Sequence, residues 1–333
     1  MKAGRARRTR YYLVGPFPPP LGGVSVYSYR LKKKLESEGY QVEHIDFSKS
    51  SLWQIIVFCL RVLFDPRPIT FYFNTAHGIK LTPLFVLRPF PSRIVFHDHG
   101  EWEIGTFSLY KKRMMKMLIA IASNVYLVGE HLKKYYDENG ISLPPEKTEI
   151  RHAFLPPPLE EEQYILSQYP TSLFEFIESH KPLILANAFS LKFINGQDLY
   201  GLDLCIQLVR RVKKEYPNVG LIFALSDVGD VAYYEKIVEE VRGEGIHDNV
   251  YFLLGKAEMW PLFKMVDAFV RPTRLDSYGV SVAEAVYFGC PAIASDVCER
   301  HPGAITFRAG DVDDLVAKVA AVLASRAAGS RKG

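Results

Sequence analysis

Short apolar runs alternate with longer segments of helical periodicity along most of the chain. YYLV is followed by VSVYSYRLKKKLESEG, then by QVEHIDF, and the same rhythm continues through ITFYFN, RIVFHDHG and SNVYLVGE. Uninterrupted apolar runs of four to eight residues, each followed by a helical pattern, predict parallel strands buried on both faces. The rhythm stops between Phe154 and Pro170, where FLPPPLEEEQYILSQYP combines a proline triplet with an acidic run. It then resumes in PLILANAF, LDLCIQLVRRVKKEY, VGLIFALSD, YYEKIVEEVRGEG, NVYFLLG, DAFVRPT and PAIASDV. The pattern predicts an α/β chain of two Rossmann-like parallel-sheet domains, residues 1–160 and 161–333, with FLPPPLEEEQYILSQYP as the connector. Ligands in such sheets bind beyond the carboxyl ends of the strands, so the strand-end loops of two facing sheets are expected to line a cleft.

With 333 residues, 48% of them hydrophobic, the chain can bury two cores of ordinary size. The net charge of +4 is too small to argue for a nucleic-acid partner, although Lys2, Arg5, Arg7, Arg8 and Arg10 concentrate charge at the start. Cys59, Cys205, Cys290 and Cys298 form no CxxC pair and have no histidines at zinc-finger spacing, which fits a reducing compartment. GPFPPP interrupts the apolar stretch after the basic start, and no apolar run reaches the length of a membrane span. A cytoplasmic protein, with or without a peripheral membrane contact, is expected.

Three loops carry candidate chemistry. Gly22 and Gly23 precede a helix beginning near Val24, where close backbone approach and free N–H groups favour a phosphate; a plain flexible turn is the alternative. There is no GxGxxG, which argues against nicotinamide chemistry. The strand RIVFHDHGEWE ends with His97, Asp98, His99, Glu101 and Glu103, of which only His97 and His99 share a strand face. That favours a polar strand-end loop over a metal site, with a histidine available to hydrogen-bond a substrate. In RPTRLDSYGVSVAEAVYFGCPAIASDV a strand exits through LDSYG into a helix, with Asp276 and Glu284 on either side of the helix start. Uncapped N–H groups around Gly279, Val280 and Ser281 would suit a diphosphate, and the flanking carboxylates would suit the diols of a nucleotide sugar. The alternative makes Asp276 a helix cap and Glu284 a partner of the helix dipole.

These residues resemble glycosyltransferase family 4, retaining enzymes of the GT-B fold. The family's two acids separated by seven residues have their counterparts in Asp276 and Glu284, and the resemblance extends to GGVSV, HDHG and GCPAIASDV. It implies that Glu284 binds the ribose, Asp276 touches the donor sugar, and Ser277, Tyr278, Gly279 and Val280 contact the diphosphate. It places Gly22 and Gly23 in the facing loop and His99 near the reacting sugar, with no metal or other cofactor required. The sequence departs from the family where a cationic pair is usual, at Ala188 and Tyr200, so Lys192 and Arg274 are the expected substitutes. Asp276 also replaces the usual glutamate, and the closing helix of the family is expected to be short or absent.

In YKKRMMKML, four basic residues alternate with large apolar ones, so the segment 107–122 is expected to be either an ordinary surface helix or a contact for anionic lipid. LWQIIVFCLRVLF, residues 52–64, would add to that contact or be buried. DVD at Asp311–Asp313 is read as a helix cap in preference to a metal motif. The combined expectation is a hexosyltransferase acting on a nucleotide-sugar donor and a glycan or lipid-linked acceptor. A non-catalytic GT-B subunit and, behind it, a nucleotide-sugar epimerase are the alternatives.

Overall fold

The computed structural model describes residues 9–330 apart from 20, 48, 76–78, 80–81, 101–103 and 256–257, and leaves out the side chains of 85, 329 and 330. Lys2, Arg5, Arg7, Arg8, Glu101 and Glu103 therefore lie outside the described residues. The chain divides into two compact units, Met1–Leu155 and Pro156–Gly333.

The first unit runs β1 (Arg10–Val14), α1 (Gly23–Ser37), β2 (Gln41–Ile45), α2 (Leu52–Phe64), β3 (Ile69–Phe73), α3 (Thr82–Leu87), β4 (Ser92–Asp98), α4 (Leu109–Ile121), β5 (Asn124–Leu127), α5 (His131–Glu138) and β6 (Thr148–Ile150). Its six strands are all parallel, in the order β2-β1-β3-β4-β5-β6. The central strand β3 is buried at all five positions, which is why ITFYF reads as an unbroken apolar run with no alternation.

The second unit begins with α6 (Glu162–Ser167) and α7 (Thr171–Ser179). It continues with β7 (Leu183–Leu191), a small hairpin of β8 (Phe193–Ile194) and β9 (Gln197–Asp198), α8 (Leu202–Val212), β10 (Gly220–Gly229), α9 (Val231–Gly243), β11 (Val250–Leu254) and β12 (Ala268–Arg271). The last elements are α10 (Val280–Tyr287), β13 (Ala292–Ser295), β14 (Ile305–Phe307) and α11 (Val312–Ser330). The large sheet is parallel, in the order β11-β10-β7-β12-β13-β14. From β7 the chain adds strands on one side, then crosses to add β12, β13 and β14 on the other. The order therefore reverses between β7 and β12, where neighbouring exit loops diverge and leave room for a ligand.

Side chains of β7 alternate between two cores: Ile184, Ala186 and Ala188 pack with α8, α9 and α11, and Leu183 and Leu185 with α6, α7 and α10. The acidic stretch expected to be connector is helical from Glu162, because Ile165, Tyr169, Leu173 and Phe176 recur at helical spacing and bury in the second core. Lys264 holds the start of α6 by donating to both carboxylate oxygens of Glu162 at 2.7 Å.

Two glycines with the same backbone angle separate strain from close approach. Gly196, in the Asn195-Gly196 turn of the β8–β9 hairpin, has φ +74° and nothing within 4 Å of where a Cβ would sit. Gly201, which caps α8, also has φ +74°, but a Cβ there would overlap the carbonyl oxygen of Pro272. Gly196→Ala is expected to cost about 1 kcal/mol, the left-handed penalty alone. Gly201→Ala is expected to cost roughly 3 kcal/mol or more, because the overlap with the β12 exit is added. Urea unfolding of both variants checks this, and equal losses would contradict it.

Candidate functional site

β12 ends on Arg271, and Pro272 turns the chain out of the sheet. Gly279 then takes φ +79° to cap α10, in a position where a Cβ would lie 2.6 Å from Arg300 Nη1 and 3.2 Å from Asp276 Oδ2. Val282 and Ala283 already donate to Gly279 O at 2.9 and 3.4 Å, whereas the N–H groups of Val280 and Ser281 make no hydrogen bond among the described residues. No acidic side chain occupies the first turn, so this helix end keeps its partial positive charge. Glu284, the fifth residue of α10, is buried, and Tyr278 is buried beside the cap.

Asp276 sits between two guanidinium groups. Its Oδ2 accepts from Arg271 Nε at 3.1 Å and Arg300 Nη1 at 2.8 Å, with Thr273 Oγ1 at 3.4 Å, and its Oδ1 accepts from Ser277 N at 3.0 Å. Burial alone would raise the carboxyl's pKa, but the charges and hydrogen bonds of Arg271 and Arg300 outweigh it and hold it at about 2. Asp276 is thus not the cap of α10, a place Gly279 takes with no side-chain bond.

Arg300 uses its whole fork. Nε donates to Ser295 O at 2.9 Å, Nη1 to Asp276 and to Tyr278 O at 3.3 Å, and Nη2 to Thr273 Oγ1 and Ser295 Oγ, both at 3.1 Å. It ties the exits of β12 and β13 to the start of α10. Arg271 Nη1 donates to Asn187 Oδ1 at 3.0 Å and Asn187 O at 3.3 Å, so this side chain spans the β7–β12 reversal. Its guanidinium carbon lies 5.2 Å from the centre of the Tyr200 ring. The side chain expected to leave a charge missing therefore packs against one.

The two expected cationic substitutes are elsewhere. Arg274 forms a two-pronged pair with Asp203 at 2.9 and 2.7 Å and also donates to Asp198 O, which directs it to the start of α8. Lys192 is exposed, with Nζ 5.7 Å from the Phe189 ring. Arg271 and Arg300 were missed as site residues, although an arginine closing the apolar run DAFVR was a legible signal, since charge at the end of a buried strand needs a partner or a ligand.

In the first unit, Gly22 caps α1, which starts at Gly23, and Ser25 Oγ bonds Gly22 N at 2.9 Å and Gly22 O at 3.0 Å. His97 and His99 share a face, with ring centres 4.4 Å apart. His97 Nε2 must donate to Arg151 O at 2.9 Å, since a carbonyl only accepts; Nδ1 then accepts from Tyr72 O–H at 3.2 Å, and Tyr72 accepts from Tyr27 at 3.2 Å. Burial lowers the pKa of His97 to about 4. Burial, with His97 beside it, holds His99 well below the usual histidine value. Both rings are neutral near pH 7, and the His99 ring lies 4.7 Å from that of Tyr27. Among the described residues no group of three His, Cys, Asp or Glu side chains is placed to hold a metal ion. Asp311 Oδ1 accepts from Asp314 N at 3.0 Å, the arrangement of a cap on α11.

Residues 193–331 match the sequence model of the family described as Glycosyl transferases group 1. The O-antigen biosynthesis glycosyltransferase WclY of Escherichia coli is 28% identical over 97 residues, 29% of this chain and 25% of that protein. The lipopolysaccharide core biosynthesis mannosyltransferase LpsB of Rhizobium meliloti (strain 1021) is 28% identical over 98 residues, 29% of this chain and 28% of that one. The matched segment thus spans about a quarter of the length of these relatives. Anabaena Alr3699/HepE, solved with UDP and glucose, has a TM-score of 0.64 at 15% identity, covering 93% of this chain and 88% of its own. Sucrose-phosphate synthase (tll1590) from Thermosynechococcus elongatus gives 0.66 at 15% identity, with 96% and 91% covered. The fold is that of the GT-B glycosyltransferases, two α/β units each built on a parallel six-stranded sheet.

Asp276→Asn keeps the shape but leaves two buried guanidinium groups without their anion, and a loss of about 3 kcal/mol at pH 7 is expected. The folded carboxyl titrates at about 2, below the unfolded value, so its contribution is full above about pH 4 and fades as pH falls towards 2. Urea unfolding at pH 7 and pH 3 is expected to show the wild-type advantage over Asp276→Asn shrinking at the lower pH. A pH-independent gap would contradict the pairing.

Proposed function

We propose that this chain is a retaining glycosyltransferase that moves a sugar from a nucleotide-sugar donor to an acceptor hydroxyl, in polysaccharide or lipid-linked glycan synthesis. The observation that carries the reading is the helix start at Gly279, where the N–H groups of Val280 and Ser281 make no hydrogen bond among the described residues, at the sheet reversal and one turn before the buried Glu284. That arrangement suits a diphosphate at the helix end and a ribose diol on the carboxylate. The match to the group 1 family covers this same region, and a neighbour of the same fold was solved with UDP.

In this reading the bond from the anomeric carbon to the diphosphate oxygen breaks as the acceptor oxygen bonds on the same face. The acceptor proton passes to the departing phosphate. Gly279, Val280, Ser277 and Tyr278 frame the diphosphate and Glu284 takes the ribose; within the first unit, the neutral His99 and the Gly22–Gly23 turn are the candidates for substrate contact. Stabilising the leaving group with donors already in place is the term that lowers the barrier, and it needs no covalent intermediate. A non-catalytic role would account for the missing cations at Ala188 and Tyr200; Arg271, whose guanidinium carbon lies 5.2 Å from the Tyr200 ring, supplies a cation beside the second of these positions and supports the catalytic reading.

The acceptor side of the proposal rests on helix α2, whose Trp53, Ile56, Leu60 and Phe64 form one exposed apolar stripe while Phe58 and Val62 are buried. α3 packs beside it and exposes Val86 and Leu87, and α4 beside that exposes Leu109 and Tyr110 with Lys111, Arg113 and Lys116. Apolar and basic groups together fit an anionic lipid surface on which a lipid-linked acceptor would be presented. Among the described residues no helix is long and apolar enough to cross a membrane.

Calorimetric titration with UDP, GDP and ADP is expected to show binding of one of them, weakened by about tenfold or more in Glu284→Ala. A folded wild type that binds none would overturn the reading. The wild type is further expected to sediment with vesicles containing anionic lipid and Trp53→Glu/Leu60→Glu to remain in the supernatant; equal behaviour of the two would remove the lipid contact.

A further inference from the structure

Three charged side chains meet where β7, β12 and α10 converge, and they do not balance: the positive charges of Arg271 and Arg300 face the single carboxylate of Asp276. Arg300 is saturated, every N–H engaged by Asp276, Tyr278 O, Thr273, Ser295 Oγ or Ser295 O. Arg271 is not. Nε and Nη1 are held by Asp276 and Asn187, whereas Nη2 makes no hydrogen bond among the described residues. The surplus positive charge and the unused donors therefore sit on the same group.

The surroundings hold that group still. Asp276 fixes one edge, Asn187 a second, and the Tyr200 ring lies 5.2 Å away. Its side chain keeps only 11% of its exposure, so orienting it for a ligand loses little further conformational freedom. Asp276 Oδ2, which Arg271 touches, is 3.2 Å from where a Cβ on Gly279 would be, which brings the guanidinium to the uncommitted start of α10.

We infer that Arg271 is a ligand-binding residue, its free Nη2 edge holding the diphosphate of the donor together with the N–H groups of Val280 and Ser281. This rests on the nucleotide-sugar reading and deepens it. Arginine suits the task because its planar fork binds phosphate oxygens through parallel hydrogen bonds while its other edge stays anchored. Asp276 then acts through Arg271 as a positioning residue, with Oδ2 already shared by Arg271 and Arg300, in place of the donor-sugar contact that the family resemblance implies.

The test compares each nucleoside diphosphate with its parent nucleoside by calorimetry on wild type, Arg271→Gln and Arg271→Lys, with thermal unfolding to confirm folding. Arg271→Gln is expected to weaken the diphosphate by about ten- to a hundredfold and leave the nucleoside unchanged, with Arg271→Lys intermediate. The difference between the two ligands is a quantity that a merely structural role would not move. Unchanged diphosphate affinity in folded Arg271→Gln, or equal loss of both ligands, would overturn the assignment while leaving the nucleotide-sugar reading in place. If Arg271→Gln fails to fold, Arg271→Lys decides by the same comparison. A wild type that binds none of the diphosphates would overturn both.

Discussion

The carboxylate of Asp276 between Arg271 and Arg300 is the interaction on which the second unit's candidate site depends. It joins the exits of β12 and β13, the start of α10 and, through Asn187, the middle of β7. A buried carboxylate with two guanidinium groups is weak evidence of net stability, because desolvating three charges offsets much of their attraction. Its contribution is geometric. Removing the shared carboxylate leaves two buried guanidinium groups without their anion, so Asp276 holds these loops together.

That constraint explains why glycine stands at 279. The left-handed turn that starts α10 passes against Arg300, with room for a hydrogen but not for a methyl group. The backbone is thereby pressed onto the charge cluster, and the start of α10 is held beside Asp276 and Arg300 at the sheet's reversal. Arg300 and Arg271 divide the work: one guanidinium spends all its hydrogen bonds on the protein, the other keeps a donor edge for a ligand. The neutral chain Tyr27–Tyr72–His97–Arg151 in the first unit is organised differently, by burial of uncharged donors and acceptors each of which has one sensible role.

Much of the fold was legible because a parallel sheet covered on both faces leaves an unbroken apolar run, as in ITFYF and PLILANAF, and the helices between such runs keep their period. The α6–α7 segment was not, because a proline triplet and an acidic run dominate its start and conceal Ile165, Tyr169 and Leu173 at helical spacing. At the site, the glycine-started helix with its two acids could be read from spacing. Which arginine faced it could not. Arg271 and Arg274 are three residues apart, and only the fold shows that one meets Asn187 and Tyr200 while the other reaches Asp203 on α8. Nor did composition separate the outer stripe of α2 from its buried one, since both are apolar and differ only in which neighbours cover them.

The most direct measurement is a crystal structure with a nucleoside diphosphate bound. The expected result is phosphate oxygens within hydrogen-bonding distance of Arg271 Nη2 and the N–H groups of Val280 and Ser281, ribose hydroxyls on Glu284, and the Arg271–Asp276–Arg300 contacts unchanged. A nucleotide seated elsewhere, or a diphosphate at the start of α10 with Arg271 making no contact to it, would contradict it.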